Sequence, residues 1–246
     1  MSLADVAFDR LHDHQRRLVH HKNWMRPPGL NADIQNAAET ARMIVDPDFE
    51  LLGLNAVSTV ATISTTGGCL LTTVAGATDG AIILPHLDAS QSAWATVLWD
   101  TAKSPTLEAL LVTGSTVAAM VFAMGFKLTN TSVIATDDDQ AYFRYAAADA
   151  SGQFQFITSR AGVDTTYTVP TSVIAAVAAS TAYRLRVEVY SDRTVMGFIN
   201  DVPIRATPFA ALTSLTTFIP YPTIVLNAAA VVKSVTNRYT TATKLY

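Results

Sequence analysis

The stretch 182–204 runs Ala182-Tyr183-Arg184-Leu185-Arg186-Val187-Glu188-Val189-Tyr190, then Ser191-Asp192-Arg193-Thr194, then Val195-Met196-Gly197-Phe198-Ile199, then Asn200-Asp201 and Val202-Pro203-Ile204. It reads as a strand, a turn carrying Asp192, a second strand, an Asn-Asp turn and the opening of a third strand. β-branched and aromatic residues fill the strands, while the turn residues tolerate a positive φ or bond their own backbone.

The same texture extends outward from about Leu54. Thr, Val, Ile and Ala come in short runs punctuated by Gly, Pro, Asn and Asp. Strands are expected at 57–65, 69–75, 81–85, 106–113, 118–127, 140–146, 153–159, 183–190, 195–199 and 223–227. So many short strands in one chain predict an all-β sandwich or jelly roll. Thr66-Gly67-Gly68 and Asp149-Ala150-Ser151-Gly152 supply turn chemistry at the boundaries. A short helix is expected across 173–179, Ala-rich and set between Pro170 and Ser180. No internal repeat is visible.

Charge divides the chain into a polar arm, 1–50, and an apolar body, 51–246. Of 17 basic and 20 acidic side chains, 14 fall within 1–50 and only six within 51–136. Leu3, Val6, Ala7, Leu11, Leu18 and Val19 recur at roughly helical spacing, with Asp5, Asp9, Arg10, Arg16 and Arg17 between them. One amphipathic helix over 3–22 is predicted. Arg26-Pro27-Pro28-Gly29 ends it, because two prolines lack donors and force their predecessors toward extended geometry. Residues 23–48 read as a linker with a short helix across 33–43, a segment expected to lie on a neighbour rather than build a core.

Composition narrows the classes. Half the residues are hydrophobic and 15% are charged, which is more apolar surface than one domain usually buries, so a large subunit interface is expected. No run approaches the roughly 18 apolar residues of a membrane-spanning helix, so a membrane partner is not expected. Met1-Ser2-Leu3-Ala4-Asp5 lacks the apolar core of an export signal, and synthesis in a cytoplasm follows. A net charge of −3 offers no footprint for nucleic acid. Cys69 is the single cysteine; it excludes an intrachain disulfide and reads as a small buried hydrophobe.

The stretch 182–204 resembles the paired strands of concanavalin A-like and laminin-G-like sandwiches, with Asp201 where those families usually carry Gly. Residues 119–127, ending Met124-Gly125-Phe126-Lys127, resemble a long core strand of that fold. Asp139-Gln140-Ala141-Tyr142-Phe143-Arg144-Tyr145 followed by 153–159 resembles its next hairpin. Leu215-Thr216-Thr217-Phe218-Ile219-Pro220-Tyr221, with Ala228-Ala229-Ala230-Val231-Val232-Lys233-Ser234-Val235, resembles lectin-like modules of tailed-bacteriophage virion proteins. Pro85-His86-Leu87-Asp88 through Trp99-Asp100 resembles phage shell proteins, without a chemical reason for the likeness. The matches span about residues 50–240 and imply a lectin-like jelly-roll sandwich. That architecture serves sugar-binding modules, glycan hydrolases and inert assembly units alike.

Catalytic chemistry is largely missing. A glycan hydrolase needs two carboxylates about 5–10 Å apart; Glu188 has Arg186 rather than an acid two residues earlier and reads as a strand charge paired with Arg184 or Arg186. Asp137-Asp138-Asp139 would supply oxygens to calcium, but three adjacent side chains do not converge on one ion, and a solvated turn is the better reading. His12, His14, His20 and His21 cluster without a His-x-x-x-His pair, which weighs against zinc. Thr113-Gly114-Ser115-Thr116-Val117 lacks the second glycine of a nucleophile elbow, and no phosphate loop or dinucleotide fingerprint is present. No enzyme activity and no cofactor are expected.

The apolar, charge-poor body and the separate charged arm with its Pro-Pro break, together with the phage resemblance, lead first to the expectation of a capsid decoration or cement subunit made in a bacterial host and located on the virion surface. Its partners would be the major capsid protein and itself, as a trimer or a dimer. Arg10, Arg16, Arg17, His20, His21, Trp24 and Arg26 of the arm are the candidate capsid contacts. The alternative is a carbohydrate-binding virion module, with Trp94, Trp99, Tyr142 and Tyr145 (and Tyr221) as candidate glycan-facing aromatics.

Overall fold

The computed structural model describes residues 17–23, 32–34, 42–44, 49–54, 59–64, 67–73, 80–85, 99–128, 137–212, 217–227 and 232–245. Its strands are β1 (Arg17–Asn23), β2 (Ala32–Ile34), β3 (Arg42–Ile44), β4 (Phe49–Leu54), β5 (Thr59–Ile63), β6 (Cys69–Thr72), β7 (Gly80–Pro85), β8 (Trp99–Asp100) and β9 (Thr106–Thr113). They continue with β10 (Met120–Lys127), β11 (Asp139–Ala146), β12 (Phe154–Arg160), β13 (Val163–Thr168), β14 (Ala182–Val189), β15 (Val195–Ile199), β16 (Val202–Pro203), β17 (Thr217–Asn227) and β18 (Ser234–Leu245).

Alternation along these strands sorts the side chains into faces. In β14, Tyr183, Leu185, Val187 and Val189 are buried, while Arg184, Arg186 and Glu188 point away. In β9, Leu107, Ala109 and Leu111 are buried between partly exposed neighbours. A period of two leaves each strand one apolar face, and two such faces must meet.

The first sheet runs β16-β15-β14-β9-β18-β6-β5-β2 and the second runs β13-β12-β11-β10-β17-β7-β4-β3. Every pairing is antiparallel. Between them lies an aromatic core. Phe154 sits 5.1 Å from Tyr183 across the sandwich and 5.6 Å from Phe122, edge to face; such pairs add about 0.5–1.5 kcal/mol beyond the area they bury. Gly197 of β15 packs against two more rings of this core, since a Cβ there would lie 2.7 Å from Phe143 Cζ and 2.9 Å from Phe156.

Two long strands are shared. One edge of β18 pairs with β6 through Ser234–Asn237 and with β1 from Tyr239 to Leu245. Likewise β17 pairs with β7 and, further along, with β8. Unpaired strand edges are costly, and each short strand covers what its neighbour leaves open.

Hairpins close where the sequence allows. Asn200 and Asp201 take φ of 50° and 66° between β15 and β16, so Asp201 accepts the left-handed conformation that Gly usually fills. Asn200 also binds back to β14, accepting from Arg184 N at 2.9 Å.

Each of the ten expected strands coincides with an observed one, and four expectations need correction. From Arg17 on, the helix predicted over 3–22 is instead strand β1, because the free edge of β18 offers every backbone group of Arg17–Asn23 a partner. Residues 1–16 lie outside the described set. The linker 23–48 contributes β2 to the first sheet and β3 to the second, so these parts pair with the chain's own strands rather than with a neighbour. The ends of the short helix predicted at 33–43 are likewise strand, and its middle lies outside the described residues.

The helix predicted at 173–179 is a single turn followed by irregular chain. Val173 N donates to Pro170 O at 2.9 Å, after which Val177 N donates to Gly152 O at 2.8 Å and Ala178 N to the Tyr183 hydroxyl at 2.7 Å. Tertiary partners outbid the weak helical preference of alanine in so short a segment.

Candidate functional site

A polar face lies outside the sandwich on each sheet. On the first sheet, antiparallel register sets Phe198, Arg186, Glu108, Thr241 and His21 in one row. Arg186 holds Glu188 at 2.9 Å, Asp201 at 3.2 Å and Glu108 at 3.4 Å, and its guanidinium stacks 4.3 Å from the Phe198 ring centre. The Tyr239 hydroxyl donates to Glu108 Oε1 at 2.7 Å and that of Tyr190 to Glu188 Oε2 at 3.3 Å. Burial, then the bond to Glu108, pushes the Tyr239 phenol up to about 12. Each carboxylate and phenol of this network has a partner. Glu188 is thus a strand charge held by Arg186, whereas Arg184 pairs with Asp201.

The second sheet's outer face differs. Lys127 of β10, Gln140 of β11, Ser159 of β12 and Asp164 of β13 share one row. The next row holds Gly125, Tyr142, Ile157 and Thr166, and the third holds Ala123, Arg144, Gln155 and Thr168. Alternation keeps all of these opposite the inward Phe122, Phe126, Phe143, Tyr145, Phe154 and Phe156. The floor on β10–β12 is buried and the rim on β13 is exposed: Gln140 and Ser159 are 0% accessible, Gln155 is 8%, and Asp164, Thr166 and Thr168 face solvent.

Gly125 makes this floor possible. A Cβ there would lie 2.4 Å from both Ala141 O and Tyr142 Cα, so no side chain fits beneath Tyr142. Burial, with Asp164 and Asp137 nearby, raises the Tyr142 phenol well above its ordinary range, and Arg144 opposes the shift.

Hydrogen bonding on this floor is incomplete. Gln140 Nε2 donates to Asp164 Oδ1 at 3.2 Å, which fixes the amide and leaves Gln140 Oε1 without a partner. Ser159 Oγ and Gln155 Oε1 are unpartnered as well. So is Arg144 Nε, although Arg144 Nη2 is ion-paired to Asp149. An unsatisfied buried polar group costs about 1–3 kcal/mol, and Arg184 Nε on the first sheet's face is another.

Most of the residues singled out from the sequence lie elsewhere. Arg10, Arg16, Trp24, Arg26 and Trp94 fall outside the described residues. Arg17 and His20 lie on β1, within the first sheet. His21 is exposed and joins the first sheet's network, its Nδ1 2.6 Å from Thr241 Oγ1 and its ring 5.8 Å from Tyr239. Trp99, Tyr142 and Tyr145 are 1%, 2% and 3% exposed, so they do not form the expected open stacking face. Trp99 and Tyr145 belong to the core between the sheets, where the Tyr145 hydroxyl donates to Val117 O at 3.2 Å, and Tyr142 alone lies on the outer floor.

The three adjacent aspartates diverge. Asp137 Oδ2 accepts from Leu128 N at 3.0 Å, the Asp138 carbonyl accepts from Gly162 N at 3.0 Å, and Asp139 is buried at the start of β11. Among the described residues no three His, Cys, Asp or Glu side chains gather as metal ligands. Cys69 is buried, and burial pushes its thiol up to about 12, which leaves it inert.

Gln140, Gln155 and Ser159 carried no signal as single residues. Only the pairing of β11 with β12 brings them together, and the one hint in the sequence is that amides and a hydroxyl occupy alternate positions opposite aromatic ones.

No protein-family model matches the sequence, and neither does any curated protein. Solved structures match in fold. A protein of unknown function from Shewanella oneidensis MR-1 superposes with a TM-score of 0.59 over 100% of this chain and 95% of its own, at 12% identity. The carbohydrate recognition domain of Emp46p, in a potassium-bound form, superposes with a TM-score of 0.54 over 85% of this chain and 95% of its own, at 10% identity. The chain therefore has a lectin-like β-sandwich fold.

Proposed function

We propose that this chain is a carbohydrate-binding module without catalytic activity, and that it holds its ligand on the outer face of β10–β13. The observation that carries this reading is a set of buried polar groups without partners on either side of the Tyr142 row, Gln140 Oε1 and Ser159 Oγ in one neighbouring row and Arg144 Nε and Gln155 Oε1 in the other. Sugars present closely spaced hydroxyls that both donate and accept, and the solvent-facing Asp164, Thr166 and Thr168 of the adjoining β13 are where such a ligand would reach this face. The fold likeness to a carbohydrate recognition domain supports the same reading. Tying Glu108 and Glu188 to one arginine argues against a carboxylate pair free for glycoside hydrolysis.

Decoration of a phage shell draws its support from the charge-poor composition and the sequence resemblance. The arm that would reach a neighbour is, from Arg17 to Asn23, bonded along its own β18.

Screening the purified chain against a broad oligosaccharide array tests the proposal, with Thr166→Trp as the control that blocks the exposed rim. Binding by the natural chain and loss of it in the variant are expected. Equal binding by both would place any glycan site elsewhere.

A further inference from the structure

The strands at the margins of the two sheets differ in character. Among the described residues, β2 and β3 have three residues each, β8 and β16 have two, and Pro203 of β16 lacks a donor. β1 has seven residues but carries Arg17, His20, His21 and Lys22. β13 has six, Val163–Thr168, with Asp164 as its one charge, no proline and no bulge in its pairing with β12. All but Tyr167 are exposed, Val163 by 67%. Short strands, charges, prolines and bulges keep an edge from pairing, and β13 sets a single acid against a run of high β propensity.

We infer that β13 pairs antiparallel with β13 of a second copy of this chain, joining the second sheets of the two copies into one sheet across a two-fold axis.

The outer edge of β13 belongs to alternate residues. Val169 N donates to Phe154 O at 2.8 Å, in step with the β12–β13 register, so Val163, Thr165 and Tyr167 turn their backbone groups toward β12. Asp164, Thr166 and Thr168 turn theirs outward. A ladder between two copies must set outward residues against outward residues.

Charge and donors then choose the register. Centred on Asp164, it would put that carboxylate face to face with the partner's Asp164. Centred on Thr165, it would set Thr168 against the partner's Gly162, whose N–H already donates to Asp138 O within its own chain at 3.0 Å. Registers centred beyond Thr166 bring in Pro170, which has no N–H to give. Centred on Thr166, the strand meets none of these obstacles. Thr166 lies against the partner's Thr166, and Thr168 lies against the partner's Asp164, hydroxyl beside carboxylate. The fit is of the strand to itself, which a second copy offers and an unrelated peptide does not. In this register the row of Gly125, Tyr142, Ile157 and Thr166 runs on into the same row of the second copy.

Sedimentation equilibrium of the full chain from about 1 to 300 μM, the range in which so small an interface associates, measures the mass. A reversible dimer is expected at the upper concentrations. Thr166→Pro removes the central outward N–H, and Thr166→Lys sets like charges across the axis. Neither touches a bond within the chain, so both should keep the natural thermal midpoint and stay monomeric. Val202→Lys, at an exposed position on the other sheet's margin, should leave the dimer intact.

Oxidation reads the register. Cys69 is buried and inert, so Thr166→Cys supplies the one reactive thiol. Its two copies face each other with Cα atoms about 5.5 Å apart, within reach of a disulfide. Thr168→Cys lies about 13 Å from its copy, so Thr166→Cys should crosslink at least about tenfold faster. A natural chain that stays monomeric at every concentration would overturn the inference. So would a dimer that survives both Thr166→Pro and Thr166→Lys, which places the contact on another surface, or faster crosslinking by Thr168→Cys. No sugar is present in any arm, so none of these outcomes bears on the carbohydrate-binding reading.

Discussion

Gln140 and Ser159 stand directly opposite one another on β11 and β12, both fully buried, and each ends in an oxygen that no group of the protein bonds. Function and stability pull apart at such a pair. Ser159→Ala removes a buried group whose desolvation is uncompensated, so the free protein should be as stable as before or more stable by roughly 1 kcal/mol. Denaturant unfolding of the ligand-free variant checks this; a loss of 2 kcal/mol or more, on the scale of a lost buried partner, would mean the hydroxyl is engaged within the fold.

Gly197 and Gly125 should both resist alanine, for different reasons. At Gly197 the new methyl meets the rings of Phe143 and Phe156 at 2.7 and 2.9 Å, and rings can shift slightly, so about 1–3 kcal/mol of overpacking is expected. At Gly125 it meets backbone at 2.4 Å, so Gly125→Ala should cost more than Gly197→Ala. Paired unfolding curves would reverse this order only if β10 and β11 can separate.

Phe154 is the hub of the aromatic core, touching Phe122, Phe143, Tyr145 and Tyr183 with ring separations of 5.1 to 6.4 Å. Phe154→Ala should lower stability by about 3–5 kcal/mol, the usual cost of a large core cavity. Thermal unfolding gives the value, and a loss below roughly 1 kcal/mol would mean the sheets collapse onto the gap.

Alkaline pH should loosen the first sheet through Tyr239. Its phenol ordinarily titrates at 10.0 and is raised to about 12 by burial and the bond to Glu108. The folded state therefore holds the proton more tightly than the unfolded chain, so its contribution is complete below pH 10 and is lost as pH rises through 12. Unfolding measured across that window should show a steeper decline for the natural chain than for Tyr239→Phe.

Removing residues 1–24 uncovers the edge of β18 from Tyr239 to Leu245. The truncated chain should unfold at a lower temperature and self-associate through the exposed edge. An unchanged midpoint would mean β1 adds nothing to the sheet.

The sandwich was legible because its strands announce themselves, as in the alternation of Tyr183, Leu185, Val187 and Val189. Strand β18 was hidden, since its inward positions include Asn237 and Thr240, which bond each other at 2.9 Å in place of apolar packing. β1 resembled a helix because Leu18 and Val19 fit a helical period as readily as a strand, and only the distant edge of β18 settles the matter. Aromatic residues drew attention to Tyr142 and Trp99 alike, yet which face a ring takes depends on register and bulges. The orphaned oxygens of Gln140 and Ser159 are 19 positions apart and become a pair only once β11 and β12 align.

Amide chemical-shift mapping of the chain, titrated with the oligosaccharide that binds most tightly in a mixed panel, shows which face of the sandwich holds sugar. The account predicts that the largest changes fall on Gln140, Tyr142, Arg144, Gln155, Ser159 and Thr166. Changes centred on Arg186, Glu108 and Tyr239, or no changes with any sugar, would contradict it.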